Sequence, residues 1–401
     1  MQAHPLLNHV VLGYGAVVDR QRSVVATRLT LFPEAGSTGV DGAQLLQLLA
    51  SPWPQPESGA RKGLALKGGP VGVLVNAAGE GLLRALLAAP PDPFCAIEVP
   101  AFMLGDAALA QAAAACAGAG GVLALNGAPR DALPAALAQA FALRVDDTRG
   151  PAGAGAPLLR LGVQSGADLD AAFAAGAAGG IGWPFGDAPQ PRPGKKTVAP
   201  DLQVIMDLIN RVEREEPVDR LEAVLKNDPT LAFRLLRYIN SPGFGLSVEV
   251  SSFRHALMML GYQRLKRWLA LLLASAGKSP NLKPVMHAAV RRGLLMEELV
   301  KGSGGDAEMR SEVFICGVFS LLDRLLEQPF DELLRALPVP QRVQQALLEE
   351  DGPFAPYLQL AQAVEQASAL DVREGAARLM ITAAEVNRSL LAALASAAQL
   401  E

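Results

Sequence analysis

The chain has 401 residues, of which 50% are hydrophobic and 19% charged, and its formal net charge is -4. This composition predicts two well-buried globular domains, and the slightly acidic balance disfavours nonspecific binding to nucleic acid or to anionic membranes. The cysteines Cys95, Cys116 and Cys316 are odd in number and widely spaced, which favours buried thiols in a reducing cytoplasm over disulfides or a zinc site.

The first 185 residues alternate apolar runs of strand length with alanine-rich segments of helical spacing. This alternation predicts a parallel sheet, either open or closed into a barrel. The uncharged residues 107–129 are mostly alanine and glycine, and they predict a helix followed by a buried strand rather than a membrane span. The predicted strands are residues 71–76, 94–100, 121–127 and 141–147, and the predicted helices between them include 80–89 and 131–141.

A proline-rich linker is predicted at residues 186–200, because this segment has several prolines and glycines and no apolar periodicity. Residues 201–401 then show helical spacing throughout, beginning with a helix that starts at Pro200 and Asp201. The second domain is therefore predicted to be all helical. Its further helices are predicted at 253–260, 262–275, 283–301, 311–327, 331–336, 340–350, 355–369, 373–380 and 383–398.

The helical half carries a series of short motifs in order and at a characteristic spacing. They are Asn227-Asp228-Pro229, Leu235-Leu236-Arg237, Asn240-Ser241, Phe244-Gly245, Ser251-Ser252, His255-Ala256 and Leu260-Gly261. Through them this half resembles the HDOD domain, a non-catalytic branch of the HD phosphohydrolase superfamily found in bacterial signalling proteins. Where the superfamily has its His-Asp pair after Gly317, the chain has Ser320 and Leu321, and His287 lies near the place of the first histidine. The resemblance therefore implies no metal-dependent hydrolysis by this half.

The first half resembles a degenerate EAL domain, the barrel family of cyclic-di-GMP phosphodiesterases. Residues 16–32 match its opening hairpin, 71–76 its second strand and 176–185 its closing segment. Asn76 and Glu98 match polar residues of the family's site. The resemblance places the other site positions on residues of different chemistry, namely Arg28, Asn126, Gly127, Arg144, Gln164 and Ile181. It implies a catalytically inactive barrel followed by the HDOD domain, because two retained groups do not make a two-metal site.

Candidate binding residues in the helical half lie around a predicted helix kink. They are Arg234, Arg237, Asn240, Ser241, Phe244 and His255. An anionic ligand or partner would meet converging donors there. The alternative is that the asparagine and serine only cap and turn the chain while the arginines face water. A basic cluster of Arg264, Lys266 and Arg267 beside Trp268 is open to two interpretations, a phosphate contact or a solvated helix face with the indole in the core.

Together these features predict a cytoplasmic bacterial signalling protein with three parts: a degenerate EAL-type α/β barrel at 1–185, a linker at 186–200 and an all-α HDOD domain at 201–401. We expect no catalytic residue, cofactor or metal, no membrane segment, and a partner protein such as a kinase or cyclase. The alternative is a cyclic-di-GMP receptor or weak phosphodiesterase. Its ligand would contact Asn76, Glu98, Arg28 and Arg144, with Trp183 stacking on a base.

Overall fold

The computed structural model describes residues 4–36, 39–53, 63–66, 69–130, 132–147, 152, 155–186, 200–226, 235, 238–239, 253–274, 280–326, 328–336 and 339–398. By contacts, the chain forms two compact units. The first contains Met1–Ala188, Ser279–Ala288 and Gln359–Ala398, and the second contains Pro189–Lys278, Ala289–Leu358 and Gln399–Glu401. The linker and domain limits expected at 186–200 remain a prediction, but grouping by contact assigns Gln359–Ala398 to the barrel unit.

The first unit is built around a closed barrel of eight strands. Its strand order is β1-β10-β9-β8-β7-β6-β5-β2, with β3 and β4 forming a separate small hairpin. The strands are β1 Val10–Asp19, β2 Val24–Pro33, β3 Leu64–Leu66, β4 Gly69–Val71, β5 Val73–Ala77, β6 Cys95–Pro100, β7 Val122–Asn126, β8 Phe141–Asp146, β9 Leu158–Val163 and β10 Gly179–Gly182. Helices of this part are α1 Gly42–Ala50, α2 Glu80–Ala88, α3 Ala107–Gly118, α4 Ala135–Gln139 and α5 Gly166–Ala174, with 3-10 turns at Pro5–His9 and Ala101–Gly105.

The barrel is mixed rather than all parallel. Strand β1 runs antiparallel to both of its neighbours, β2 and β10, and the remaining barrel strands pair in parallel. Side chains alternate between the two faces of each strand, so Leu74, Ala96 and Ala124 pack together inside with other apolar residues. This confirms the predicted barrel, and it confirms the interpretation of 107–129 as helix α3 followed by strand β7.

The second part of the chain is helical, which confirms the predicted fold class. Its helices are α6 Pro200–Glu213, α7 Val218–Lys226, α8 Phe253–Ala274, α9 Lys283–Gly302, α10 Ala307–Phe319, α11 Leu322–Leu326, α12 Phe330–Ala336, α13 Gln341–Gln344, α14 Ala355–Glu365, α15 Ala369–Arg378 and α16 Ala383–Ala398. A π-helical turn, Gln345–Glu349, follows α13. The helices of the described part of the chain are too short or too polar to cross a bilayer.

Several predicted helix limits are wrong, each for a local reason. The segment 311–327 is two helices, because α10 starts at its Asp306 cap and ends at Phe319. Helix α14 ends at Glu365 rather than 369, since Ala367 adopts a left-handed conformation at φ 52°. The predicted helix at 131–141 is only Ala135–Gln139. The predicted break between 260 and 262 is present as a kink in α8, where Gly261 has φ 66°.

Candidate functional site

Polar side chains collect inside the barrel near the carboxyl ends of its parallel strands. Asn76, Glu98 and Asn126 lie on β5, β6 and β7, each two residues beyond a member of the apolar interior. Thr30 on β2 pairs in register with Asn76, which pairs with Glu98. In barrels of strands and helices the carboxyl ends are where active sites are built, so this is the expected place for chemistry.

Arg28 and Glu98 form a buried ion pair at this place. The Arg28 guanidinium donates from Nε to Glu98 Oε1 at 2.6 Å and from Nη2 to Glu98 Oε2 at 2.7 Å. Asn126 Nδ2 also donates to Glu98 Oε2 at 2.8 Å, and Arg28 Nη1 donates to Thr30 Oγ1 at 3.3 Å. Glu98 is fully buried. Both carboxylate oxygens are therefore held by side chains of the chain itself, in the planar two-point geometry that arginine favours.

This arrangement does not fit the divalent cations that the barrel family implies. A two-metal site needs several carboxylates to balance the charge of the ions. Here the one buried carboxylate is already neutralised by Arg28, and its near neighbours Asn76 and Asn126 are neutral amides. Across the described ranges, no three His, Cys, Asp or Glu side chains form a group suited to a metal ion. The guanidinium of Arg28 itself supplies the positive charge next to Glu98.

Arg144 does not join this cluster. It alternates with Leu143 and Val145, which are part of the barrel interior, and so its side chain lies on the outer face of β8. There it donates from Nε to Ala156 O at 3.0 Å and from Nη2 to Ala152 O at 2.6 Å. It borders an apolar cavity of about 270 Å³, lined by Leu125, Pro129, Leu133, Ala138, Phe141, Gly155 and Ala156. The structure thus separates Arg28 from Arg144.

The remaining positions carried over from the barrel family serve the backbone or the core. Gly127 follows β7 with φ 84°, and Ile181 is part of the apolar interior. Gln164 precedes the capping box that starts α5, and its backbone N–H donates to Asp168 at 3.0 Å. Trp183 is also engaged: its Nε1 donates to Glu365 O at 3.0 Å, and its ring packs edge-on against Tyr14 at 5.3 Å.

The helical unit has its own buried cation where the superfamily motif would hold a metal. Helices α9 and α10 cross so closely that a Cβ added to Gly317 would lie 2.6 Å from Gly293 Cα. Next to this crossing Arg292 donates from Nη1 to Ser320 Oγ at 2.7 Å, and Ser320 Oγ donates to Gly317 O at 2.7 Å. Arg292 is only 3% exposed.

Two acidic groups near Arg292 are shifted toward their neutral forms. Burial raises the pKa of the Cys316 thiol to about 12, although the charge of Arg292 opposes the shift. Burial also raises the pKa of the Asp323 carboxyl, against the opposing charges of Arg324 and Arg292. At neutral pH the thiol is therefore inert, and this region contains a cation without the set of ligands that an HD-type metal site requires.

Of the six candidate residues around the predicted kink, only His255 lies in the described part of the chain. It is exposed on the first turn of α8, beside the exposed Met258 and Met259. Its neighbour Arg254 forms ion pairs with Asp219 and, at 3.2 Å, with Glu222. The other five, Arg234, Arg237, Asn240, Ser241 and Phe244, lie outside the described residues.

Two of the three cations of the basic cluster on α8 form ion pairs with residues of other helices. Lys266 pairs with Glu213 at 2.8 Å, and Arg267 pairs with Glu297 at 2.6 Å. The Arg267 guanidinium also lies 4.0 Å from the centroid of the Phe314 ring. Trp268 is buried at 3% exposure, as the core interpretation expected. Two of the three cations thus support helix packing.

Comparison with known protein families identifies the domain formed by the helical region. Residues 199–326 match the family model described as the HDOD domain. The chain carries an HDOD domain. This confirms the resemblance inferred from the motifs at 227–261, and the closed barrel that precedes the HDOD domain confirms the predicted architecture.

Curated relatives add a second finding. The chain is 30% identical over 201 residues to the cyclic di-GMP phosphodiesterase CdgJ of Vibrio cholerae serotype O1, covering 50% of this chain and 46% of that protein. It is 29% identical over 164 residues to the uncharacterized protein YuxH of Bacillus subtilis, covering 40% of this chain and 39% of that protein. The matches thus span less than half the length of these relatives.

Among solved structures, an HDOD domain protein of unknown function from Geobacter sulfurreducens matches 51% of this chain and 72% of that chain, with 16% sequence identity and a TM-score of 0.26.

Sequence reasoning found Arg28 and Glu98 but treated them as separate positions, and it missed Arg292. The signal for the ion pair was that an arginine, Arg28, stands where the resembled family has an acidic residue. A buried carboxylate that remains at Glu98 needs a positive charge beside it, and Arg28 can supply that charge. Arg292 lies beside Arg291 on a helix that otherwise buries apolar residues, and two buried arginines there give a weaker signal.

Proposed function

We propose that this protein is a non-catalytic regulator in cyclic-di-GMP signalling, which binds a partner protein through its HDOD domain. The observation that carries this proposal is the pairing of Glu98 with Arg28 and Asn126, because both oxygens of the buried carboxylate already accept hydrogen bonds and its charge is already balanced by a guanidinium. The relation to a protein named as a cyclic di-GMP phosphodiesterase supports the signalling context.

The absence of catalysis is tested with the full chain and cyclic-di-GMP in buffers containing Mg²⁺ or Mn²⁺. We expect no nucleotide cleavage above a matched Glu98→Gln variant, in which the buried carboxylate is replaced. Turnover that is abolished by a chelator and lost in Glu98→Gln would refute a non-catalytic barrel.

The partner function is tested by crosslinking and capture from the native cell with the full chain as bait. A signalling protein such as a kinase or cyclase is the expected partner. The matched control is the double variant Met258→Ser/Met259→Ser, which changes two exposed apolar side chains on α8 beside His255. If both baits captured the same protein, the face that carries Met258 and Met259 would not be the binding surface. If the parent chain captured no signalling protein, the proposed partner function would be contradicted.

The alternative, a cyclic-di-GMP receptor or weak phosphodiesterase, is favoured by the relation to CdgJ alone. A dinucleotide would need arginines that converge on its phosphates. Isothermal titration of the full chain, Arg28→Ala and Arg144→Ala with cyclic-di-GMP separates the two proposals. Binding tighter than about 10 µM that is lost in both variants would establish the receptor.

A further inference from the structure

Strand β1 has an edge that its neighbours in the barrel do not fill. It pairs with β2 from Val10 to Val18, but it pairs with β10 only from Val17 to Asp19. Over Val10–Ala16 the described strands therefore offer β1 a partner on one side only. A buried strand edge with unsatisfied N–H and C=O groups is costly, so something else must bond to it.

The side chain of Asn387 on α16 bonds to this edge. Its Nδ2 donates to Val10 O at 2.7 Å and to Leu7 O at 3.0 Å, and its Oδ1 accepts from Leu12 N at 2.9 Å. Asn387 is fully buried. A primary amide offers a donor and an acceptor side by side, which are the groups that a neighbouring strand would present. Asn387 therefore replaces a strand at the open part of β1.

Three further contacts bring the preceding segment to the same end of the barrel. Trp183, which follows β10, donates to Glu365 O at 3.0 Å. Gly13 on β1 lies so close to Ala367 that an added Cβ would be 2.5 Å from the alanine Cα. Arg373 pairs with Glu34, just after β2, at 3.1 Å. All of these residues belong to the first compact unit.

We infer that residues Gln359–Ala398, here called the strap, are part of the barrel, and that the helical unit is an insertion between β10 and the strap. The hydrogen bond between Trp183 and Glu365 joins residues 182 apart in the chain, so the two boundaries of the insertion lie beside each other in the barrel unit. Within the inserted chain, Ser279–Ala288 also groups with the barrel unit. Neighbouring ends are the geometry that allows one domain to be inserted into another. The HDOD match ends at residue 326, before the strap begins.

The strap is also linked to the barrel site through β1. Gly15 and Gly13 on β1 pair with Arg28 and Thr30 on β2, so loosening β1 loosens the strand that carries the buried arginine. A partner that pulls the strap away would expose the β1 edge and disturb the Arg28–Glu98 pair. This regulatory step rests on the proposed function, whereas the sealing of β1 by the strap does not.

Hydrogen exchange of the full chain, followed by mass spectrometry, tests the strap without a partner. In Asn387→Ala we expect amides of residues 7–14 to exchange at least about tenfold faster, while β7 on the far side of the barrel keeps its rate. The matched control is Arg388→Ala, since Arg388 is the next residue on α16 and its ion pair with Glu385 stays within that helix. Unchanged exchange at residues 7–14 in Asn387→Ala would overturn the inference.

A milder variant decides the question if Asn387→Ala does not fold. Trp183→Phe removes only the indole N–H that donates to Glu365 O and keeps a ring beside Tyr14. We expect several-fold faster exchange over residues 362–368 and parent-like exchange in the helical unit. No change over 362–368 would overturn the inference. Failure to capture a partner, by contrast, would affect only the proposed function.

Discussion

The barrel and the helical unit each bury an arginine at the place where catalytic relatives of their folds would be expected to bind a cation. The two arginines, however, have different partners. Arg28 neutralises a fully buried carboxylate through two short hydrogen bonds. Arg292 donates to the neutral hydroxyl of Ser320, with the neutral thiol of Cys316 nearby. The barrel thus keeps one buried carboxylate, and an arginine of the same chain supplies the positive charge opposite it. In the helical unit the hydrogen bond of Arg292 goes to a hydroxyl rather than to a carboxylate, so the two arginines should differ in their effect on the free energy of unfolding.

The largest expected effect is that of Arg28→Ala. It leaves Glu98 buried without its cation, which should lower the free energy of unfolding by about 3 to 5 kcal/mol. The double variant Arg28→Leu/Glu98→Leu should recover most of that loss, because no buried charge remains. Urea denaturation measures both, with Arg84→Ala as the control, since its ion pairs with Glu80 and Asp106 lie at the surface. If the double variant were no more stable than Arg28→Ala, the unpaired charge of Glu98 would not explain the loss of stability in Arg28→Ala.

A smaller effect is expected for Arg292→Met. Arg292→Met removes the hydrogen bond to the Ser320 hydroxyl, which keeps its bond to Gly317 O, so the loss should be about 1 to 3 kcal/mol. The same denaturation series compares it with Arg28→Ala. An equal or larger loss for Arg292→Met would contradict the distinction between the two regions.

The smallest effect concerns pH. Burial raises the pKa of the Asp323 carboxyl above its ordinary value of 3.8, so the folded state holds this proton more tightly than the unfolded chain does. The contribution of this group to stability therefore falls as pH rises from below 3.8 through the raised pKa. Asp323→Asn should gain on the parent between pH 4 and pH 7, by less than about 1 kcal/mol because solvent screens this half-buried group. If Asp323→Asn instead lost stability relative to the parent over that pH range, burial would not be the cause of the raised pKa.

Much of the barrel could be predicted from the sequence because its strands are short apolar runs between helical segments, as at 94–100 and 121–127. The resemblance to the barrel family placed Asn76 and Glu98 in one site, and the strand period agrees, because it turns both side chains inward. The pairing of Arg28 with Glu98 depends on β2, β5 and β6 being neighbours, which periodicity does not encode. The same resemblance placed Arg144 at the site, but Arg144 alternates with the inward-facing Leu143 and Val145, so its side chain lies on the outer face. Asn387 lies hundreds of residues from the strand it seals, so no local pattern could reveal its role.

The central claim is that Arg28 takes the place of a cation in the barrel, and titration of the full chain with Mn²⁺ tests it most directly. The parent should show no Mn²⁺ site tighter than roughly 1 mM, and Glu98→Gln should be indistinguishable from it. Stoichiometric Mn²⁺ binding by the parent that disappears in Glu98→Gln would contradict the account, because Glu98 would then have an oxygen free for metal.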